Sequence, residues 1–408
     1  MIPPATPPRL FTMILLTASA LLALNLFLPA LPAIADEFGV GTGVAGLSLS
    51  AFLAVEAVVL VVVAPLADRF GRRPVLLWSM GVFALASAGS ALAPDIWTFL
   101  GFRMLQAGSI LGSAVTMAIA RDIKGERGAA GLIGLISGSM AVAPMLGPVA
   151  GGLLTELCGW RACFWALAGL GAAAWMLCLV DLGETRPRGA LAQSGAALRR
   201  AMGALLVSGR FAAHSGCVAL GRGSFYVYVS GAPLAAAAMG ASAAEAGMWT
   251  GAITFGFLMG SFSAARLARR APPGGLILAG RVLSILGPGA GLGWLALDLG
   301  PDQAVFGFAV LVGFGNGIGV PGSLSGTMSV RPDLAAAASG LTAAMSVTGG
   351  AVLTGLATAW IVGEAPAERM LTLLAGIGVV GLATAIAALR LDRAERLRRP
   401  GRSPIAGA

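Results

Sequence analysis

Apolar stretches of about 20 residues recur from one end of this chain to the other, and nothing else in the sequence limits its fold so strongly. A run of that length crosses the ~30 Å hydrocarbon core of a bilayer as a helix. In hydrocarbon every backbone polar group must be satisfied internally, so each run reads as a helix. The composition agrees: 57% of residues are hydrophobic and 11% charged, where a soluble domain is about 25% charged. The mean hydropathy is +0.87. Spans are expected at roughly 10–34, 44–67, 74–93, 95–119, 129–155, 160–182, 211–238, 246–267, 274–297, 303–329, 334–362 and 368–390. No polar stretch is long enough for a separate soluble domain.

The formal net charge is +9, which could suggest nucleic-acid binding, but its distribution argues otherwise. When alternate loops are assigned to opposite sides, one side holds 22 of the 27 basic residues. They include Arg69, Arg72, Arg73, Arg121, Arg210, Arg266 and Arg390. The other side holds only Arg161 and Arg369, with acids such as Asp36, Glu37, Asp95 and Glu245. That asymmetry is the positive-inside pattern of twelve spans with both termini cytoplasmic. The expected partners are therefore a lipid bilayer and a small molecule, with no nucleic acid.

The first apolar stretch is too long for a signal-peptide core and carries only Arg9 before it, so it reads as the first span. The four cysteines show no metal spacing. Cys158 and Cys163 flank an outer loop and could pair, but small apolar packing accounts for all four. The longest polar interruption, about 183–210, divides the spans six and six, with an amphipathic helix expected around 196–206. The expected organisation is an amino-terminal bundle over 1–182, a linker over 183–210, a carboxy-terminal bundle over 211–390 and a tail over 391–408. Two six-helix halves would leave a substrate site between them at the midplane.

Ionisable side chains deep in a span are costly and become functional candidates. Glu56 lies at the middle of the second span and is the one acid near the centre of any. Desolvation disfavours the charged form of a carboxyl there. It could exchange a proton as a cavity opens to either side, or stay protonated and only bond a neighbour. Arg103 in the fourth span needs an anion, carbonyls or water, and Glu56 is an available partner. Arg222 is a second central cation, in the seventh span. Arg281 lies nearer the end of the ninth and could snorkel. His214 reads as an interfacial residue. Ala143-Pro144-Met145-Leu146-Gly147-Pro148-Val149-Ala150-Gly151-Gly152 puts two prolines and three glycines in the fifth span, where a bend and a close helix approach are expected.

Three of these features together resemble one family. Between the second and third spans, Leu66-Ala67-Asp68-Arg69-Phe70-Gly71-Arg72-Arg73 resembles the loop signature of major facilitator superfamily transporters, with Ala64 in place of its first Gly. The run over Pro144, Gly147, Pro148, Gly151 and Gly152 resembles the antiporter signature of drug-exporting members. Arg103-Met104-Leu105-Gln106-Ala107-Gly108 resembles their Arg-x-x-Gln-Gly element, with Ala107 inserted. Leu28-Pro29-Ala30-Leu31-Pro32, Gly159-Trp160-Arg161-Ala162-Cys163-Phe164-Trp165 and Tyr228-Val229-Ser230-Gly231-Ala232-Pro233 extend the likeness over nearly the whole chain. The branch it resembles is the drug:proton antiporters of the bicyclomycin/chloramphenicol-resistance type.

The resemblance implies the major facilitator fold and a monomeric, multi-pass protein of the bacterial inner membrane. It implies a secondary transporter, not an enzyme, exporting small amphipathic compounds by alternating access with proton influx and no cofactor or metal. A metabolite exporter without proton coupling and a transport-inactive sensor or assembly protein are the alternatives. The implied proton-coupling residues are Glu56 and Arg103. The implied cavity residues are Asn25, Phe27, Gln106, Arg222, Tyr226, Tyr228 and Asn316. Asp68, paired with Arg121 and facing the N-terminus of the eleventh span near Leu334, would latch the halves together, with Arg69, Gly71, Arg72 and Arg73 completing the gating loop. One departure matters: the family's acid and Tyr before Leu28 are replaced by Asn25 and Phe27, and Asn cannot carry a proton.

Overall fold

A computed structural model of the chain describes residues 8–62, 70–117, 119–120, 136, 142–183, 195–268, 270–331, 334–361, 363 and 365–398. The described residues are helical apart from short connections. The first rod is α1 (Leu10–Asn25), a turn at Leu28–Ala30, and α2 (Leu31–Glu37). Then follow α3 (Thr42–Val62), α4 (Arg72–Leu92), α5 (Ile96–Gln106, continued beyond a turn at Ala107–Ser109), α6 (Val142–Cys158) and α7 (Arg161–Asp181). The linker contributes α8 (Gly195–Leu206) where the amphipathic helix was expected. The chain closes with α9 (Gly209–Ala238), α10 (Ala243–Leu267), α11 (Pro273–Ala296), α12 (Pro301–Ser329), α13 (Ala335–Ile361) and α14 (Pro366–Arg398).

The described helices fall on the expected stretches and the linker, and eight of them are long and apolar enough to cross a membrane. Large apolar side chains such as Trp78, Leu85, Val180 and Phe262 lie on the outside. A soluble protein would bury such a girdle, and hydrocarbon accepts it.

Local chemistry sets the helix ends. Asp95 caps α5, accepting from the backbone N–H of Trp97 at 2.9 Å and of Thr98 at 3.0 Å. Ser242 and Glu245 form a reciprocal capping box on α10. Gly71, just before α4, has φ +101°, a backbone region closed to most side chains. That explains the glycine of the basic loop. Arg72 is buried, and Arg73 donates to the Leu179 carbonyl at 3.0 Å. Asp68, Arg69 and Arg121 lie outside the described residues, and so does the expected latch.

The helices before residue 183 pack on one another, as do those after 209, and two long helix pairs join the sets: α3 with α13, and α6 with α10. Numbered as spans, these are the second with the eleventh and the fifth with the eighth. A shift of six turns one pair into the other, the relation two parallel repeats impose. Both pairs meet toward the end away from Gly71, called here the far face. Gly46 packs on Thr358, Gly152 on the Ala243 carbonyl and Gly247 on the Pro148 carbonyl. A Cβ at Gly152 or Gly247 would collide with backbone, so the antiporter-like run is where α10 closes on α6. Pro148 is inside α6, while Pro144 stands in its first turn and accepts from Thr254 of α10 at 3.4 Å.

The apolar cores follow the same division. One large cluster, including Leu28, Leu49, Phe164, Val229, Ala357 and Met370, crosses both sets on the far side. Toward the basic face the clusters among the described residues belong to one set each: Met13, Met80 and Cys178 in the first, and Phe211 with Ala338 or Cys217 with Ile277 in the second. The far face has its own fastening. Arg161 pairs with Glu37 and donates to the Ala91 carbonyl at 3.0 Å, and the Trp160 indole N–H donates to Glu37. All four cysteines are free thiols; Cys163 is buried against the Gly151 carbonyl, and Cys158 is exposed.

Gly247→Val should push α10 from α6 and open the far face. A cysteine placed at Ser50, in a background without the native cysteines, should then react with a water-soluble maleimide several-fold faster. An unchanged rate would show that close glycine contact is not what seals this side.

Candidate functional site

Glu56 sits about two-thirds of the way along α3, roughly 21 Å from its start at 1.5 Å per residue, and is 2% exposed. Its carboxyl makes no hydrogen bond among the described residues. The charge that acts on it is Arg222, at the middle of α9 in the other helix set. Arg222 is only partly buried. Its Nε donates to the Tyr226 hydroxyl, one turn on, at 3.1 Å. Tyr226 also feels the Glu56 charge. The Tyr226 ring rests on Gly350 of α13, where a Cβ would lie 2.6 Å from it. Gly350 thus seats the Tyr226 ring, and the Tyr226 hydroxyl holds the Arg222 Nε.

Arg103 occupies a different compartment. It is fully buried, and its guanidinium carbon lies 4.0 Å from the Phe27 ring centre and 4.7 Å from that of Phe52. Nη1 donates to the Ala23 carbonyl at 3.1 Å and to Gln106 Oε1. The Gln106 amide donates to Ser87 Oγ at 2.7 Å. Nε and Nη2 make no hydrogen bond, and aromatic faces cover the cation instead. The expected partnership with Glu56 is therefore not made: Arg103 is held inside the first set by π-faces and a carbonyl, while Glu56 is turned to the second set.

Arg281 forms a third group. The expectation that it snorkels is corrected: it is 1% exposed. It donates to the Cys217 carbonyl at 2.8 Å and to Asn316 Oδ1 at 3.3 Å, and the Asn316 amide donates to Ser224 at 2.9 Å. His214, near the start of α9, is buried, with Nε2 3.1 Å from one Asp392 oxygen while the other accepts from Arg210.

The residues expected to line one continuous cavity therefore divide. Arg222, partly buried, bonds the buried Tyr226. Phe27 and Gln106 belong to the Arg103 cage, and Asn316 to the Arg281 group. Tyr228 packs inward, its hydroxyl donating to the Trp249 carbonyl at 3.0 Å. Asn25 is 1% exposed, back-bonds to the Leu21 carbonyl at 2.7 Å, and has Gly147 of α6 against its Cβ. Gly350, Ser87 and Phe52 went unnoticed in the sequence. Gly350 is one of 60 glycines, and only Phe52, one turn before Glu56, carried a local signal. Among the described residues no group of His, Cys, Asp and Glu could hold a metal ion.

The helix order, the symmetric pairing of the sets and a charge pair between them are features of transporters with two repeats. A family model described as Major Facilitator Superfamily matches residues 13–354. The chain belongs to this superfamily. It is 35% identical over 232 residues to a chloramphenicol resistance protein of Pseudomonas aeruginosa, covering 54% of this chain and 53% of that one. It is 34% identical over 165 residues to the multidrug resistance protein MdtL of Escherichia fergusonii, covering 40% and 42%. The chain thus spans about half the length of the curated relatives it matches. Among solved structures, a bacterial homolog of the human lysosomal transporter Spinster, inward-facing and occupied, superimposes with TM-score 0.75 at 15% identity over 96% of this chain and 98% of that one. A D-xylose-proton symporter gives 0.71 at 15% identity over 93% and 96%. These likenesses establish the fold of a multi-pass membrane transporter.

Arg103→Lys should keep the charge but lose the planar fork that lies between two rings and reaches Ala23 and Gln106 together. A lowered thermal midpoint in detergent is expected, corresponding to ~1–2 kcal/mol. An unchanged midpoint would mean that the cage does not hold the cation.

Proposed function

We propose that the protein is an exporter of small amphipathic, drug-like compounds in the bacterial inner membrane. In this reading it works as a monomer by alternating access and is coupled to proton influx through Glu56. Its twelve spans form two six-helix bundles, 1–182 and 211–390, with both termini and the basic face cytoplasmic. The relatives named for chloramphenicol and multidrug resistance support the export of drug-like molecules. The charge asymmetry of the loops supports the orientation.

The observation that carries the reading is the placement of Glu56 and Arg222 on opposite halves at mid-membrane. A shared far-side core and separate cores toward the basic face are what a carrier open to the cytoplasm has. In that state the ionised carboxyl attracts the cation of the other half. Protonation of Glu56 removes the attraction and lowers the cost of parting them, so proton uptake and the rocking of the halves share one equilibrium. The sensor reading fits poorly, because it gives no role to a partly exposed arginine at the midplane. The reading without proton coupling is favoured by one observation only, Asn25 in the place of the family's usual acid.

Expression in a pump-deficient host should raise tolerance to chloramphenicol, and collapsing the proton gradient should remove the effect. Glu56→Gln should reduce gradient-driven efflux at least tenfold in everted vesicles while leaving the protein folded. Efflux that survives the uncoupler would establish the uncoupled reading. Efflux that survives the substitution would move the coupling away from Glu56.

A further inference from the structure

The outer wall of the first helix set carries a groove along the seam of α4 and α7. Leu77, Trp78, Gly81 and Leu85 of α4 line it with Ala172 and Trp175 of α7, and its volume is about 500 Å³. Trp78 and Leu85 belong to the outer girdle, so the groove opens to lipid. Gly81 makes the space: a Cβ there would only touch the Trp175 indole nitrogen, at 3.4 Å.

Leu77, Gly81 and Leu85 recur every four residues and so form one stripe of α4. Arg73 heads that stripe, and its Nη2 donates to the Leu179 carbonyl of α7, one turn beyond Trp175. The guanidinium makes no other hydrogen bond and no ion pair among the described residues, and its Nε is buried without a partner. Asp181, the acid at the end of α7, is taken by Arg9 and Thr12. No acid stands in the first turn of α4, so Arg73 adds its charge to the positive end of that helix. At the other end of the stripe, a Cβ at Gly89 would lie 2.5 Å from the Phe102 ring, so α5 covers α4 from there on. From Arg73 to Leu85 is roughly 18 Å at 1.5 Å per residue, close to the ~15 Å of hydrocarbon in one leaflet.

A membrane-spanning partner helix would need a track of ~30 Å, and this one stops near half that length. A lipid of the leaflet beside the basic face needs only one leaflet, with a cation at its headgroup and apolar walls below. The Trp175 indole N–H, in the groove wall, makes no hydrogen bond among the described residues, and a glycerol ester carbonyl would satisfy it. We propose that the groove between α4 and α7 is a binding site for one anionic phospholipid, with its phosphate on Arg73 and an acyl chain along Leu77, Gly81 and Leu85.

Native mass spectrometry of the purified full chain tests this. The protein is titrated with phosphatidylglycerol or with phosphatidylcholine of the same acyl chains, and the affinity of the first bound lipid is read. Phosphatidylglycerol should bind at least fivefold more tightly, about the effect of one arginine at an anionic membrane surface. Arg73→Gln should bring the two lipids within twofold of each other. Gly81→Leu fills the groove but keeps the charge, and should weaken phosphatidylglycerol at least fivefold; Gly81→Val, a smaller filling, should weaken it in part. An unchanged thermal midpoint marks each variant as folded. Arg270→Gln, which removes an exposed basic-face charge from the second set, should change neither lipid. Equal affinities in the wild type, a preference that survives Arg73→Gln, tight binding that survives Gly81→Leu, an equal loss in Arg270→Gln, or a dimer of the chain that Gly81→Leu abolishes would overturn the proposal.

Discussion

A carboxyl and a guanidinium on opposite halves of a membrane protein, both near the midplane, constrain everything around them. Each charge alone would cost about 2.5–3.5 kcal/mol to place at the centre of a span. Glu56 reaches only the Arg222 charge, and Arg222 is held by Tyr226, which Gly350 in turn seats. The electrostatic attraction therefore depends on α3, α9 and α13 together. It exists only while the halves hold their present relation, because its members belong to different halves.

In the proposed transport cycle that relation is one of two. On the far side the halves share an apolar core, and glycines bring α6 and α10 into backbone contact. Toward the basic face each half keeps its own core among the described residues. Separate cores let a half move as a unit, and glycine contacts part without stripping side chains from deep pockets. The Arg103 cage and the Arg281 group lie within single halves, so they would stiffen each half through such a movement. The far-face fastening of Arg161, Trp160 and Glu37 likewise joins elements of one half only.

Much of the fold was legible in the sequence, because a bilayer makes hydropathy and loop charge nearly sufficient. The linker helix and the helical stretches follow from those patterns. The candidate site was legible only in part. Glu56 and Arg222 stood out as charges in apolar runs, but sequence spacing does not say which charge faces which across a bundle. Arg103 was the nearer guess as partner, since nothing in its neighbourhood shows that Phe27, Phe52 and Phe164 converge on it. Gly350 was illegible for a related reason: one glycine matters by what rests on it, and what rests on it comes from another helix.

The central claim is that the Glu56–Arg222 attraction holds the closed far face. Spin labels on Val180 and Arg270 would report the basic face, and labels on Leu157 and Leu297 the far face, by double electron–electron resonance in nanodiscs. Glu56→Gln should lengthen the far-face distance and shorten the basic-face distance relative to the same labels with Glu56 intact. Superimposable distributions for both pairs would contradict the claim.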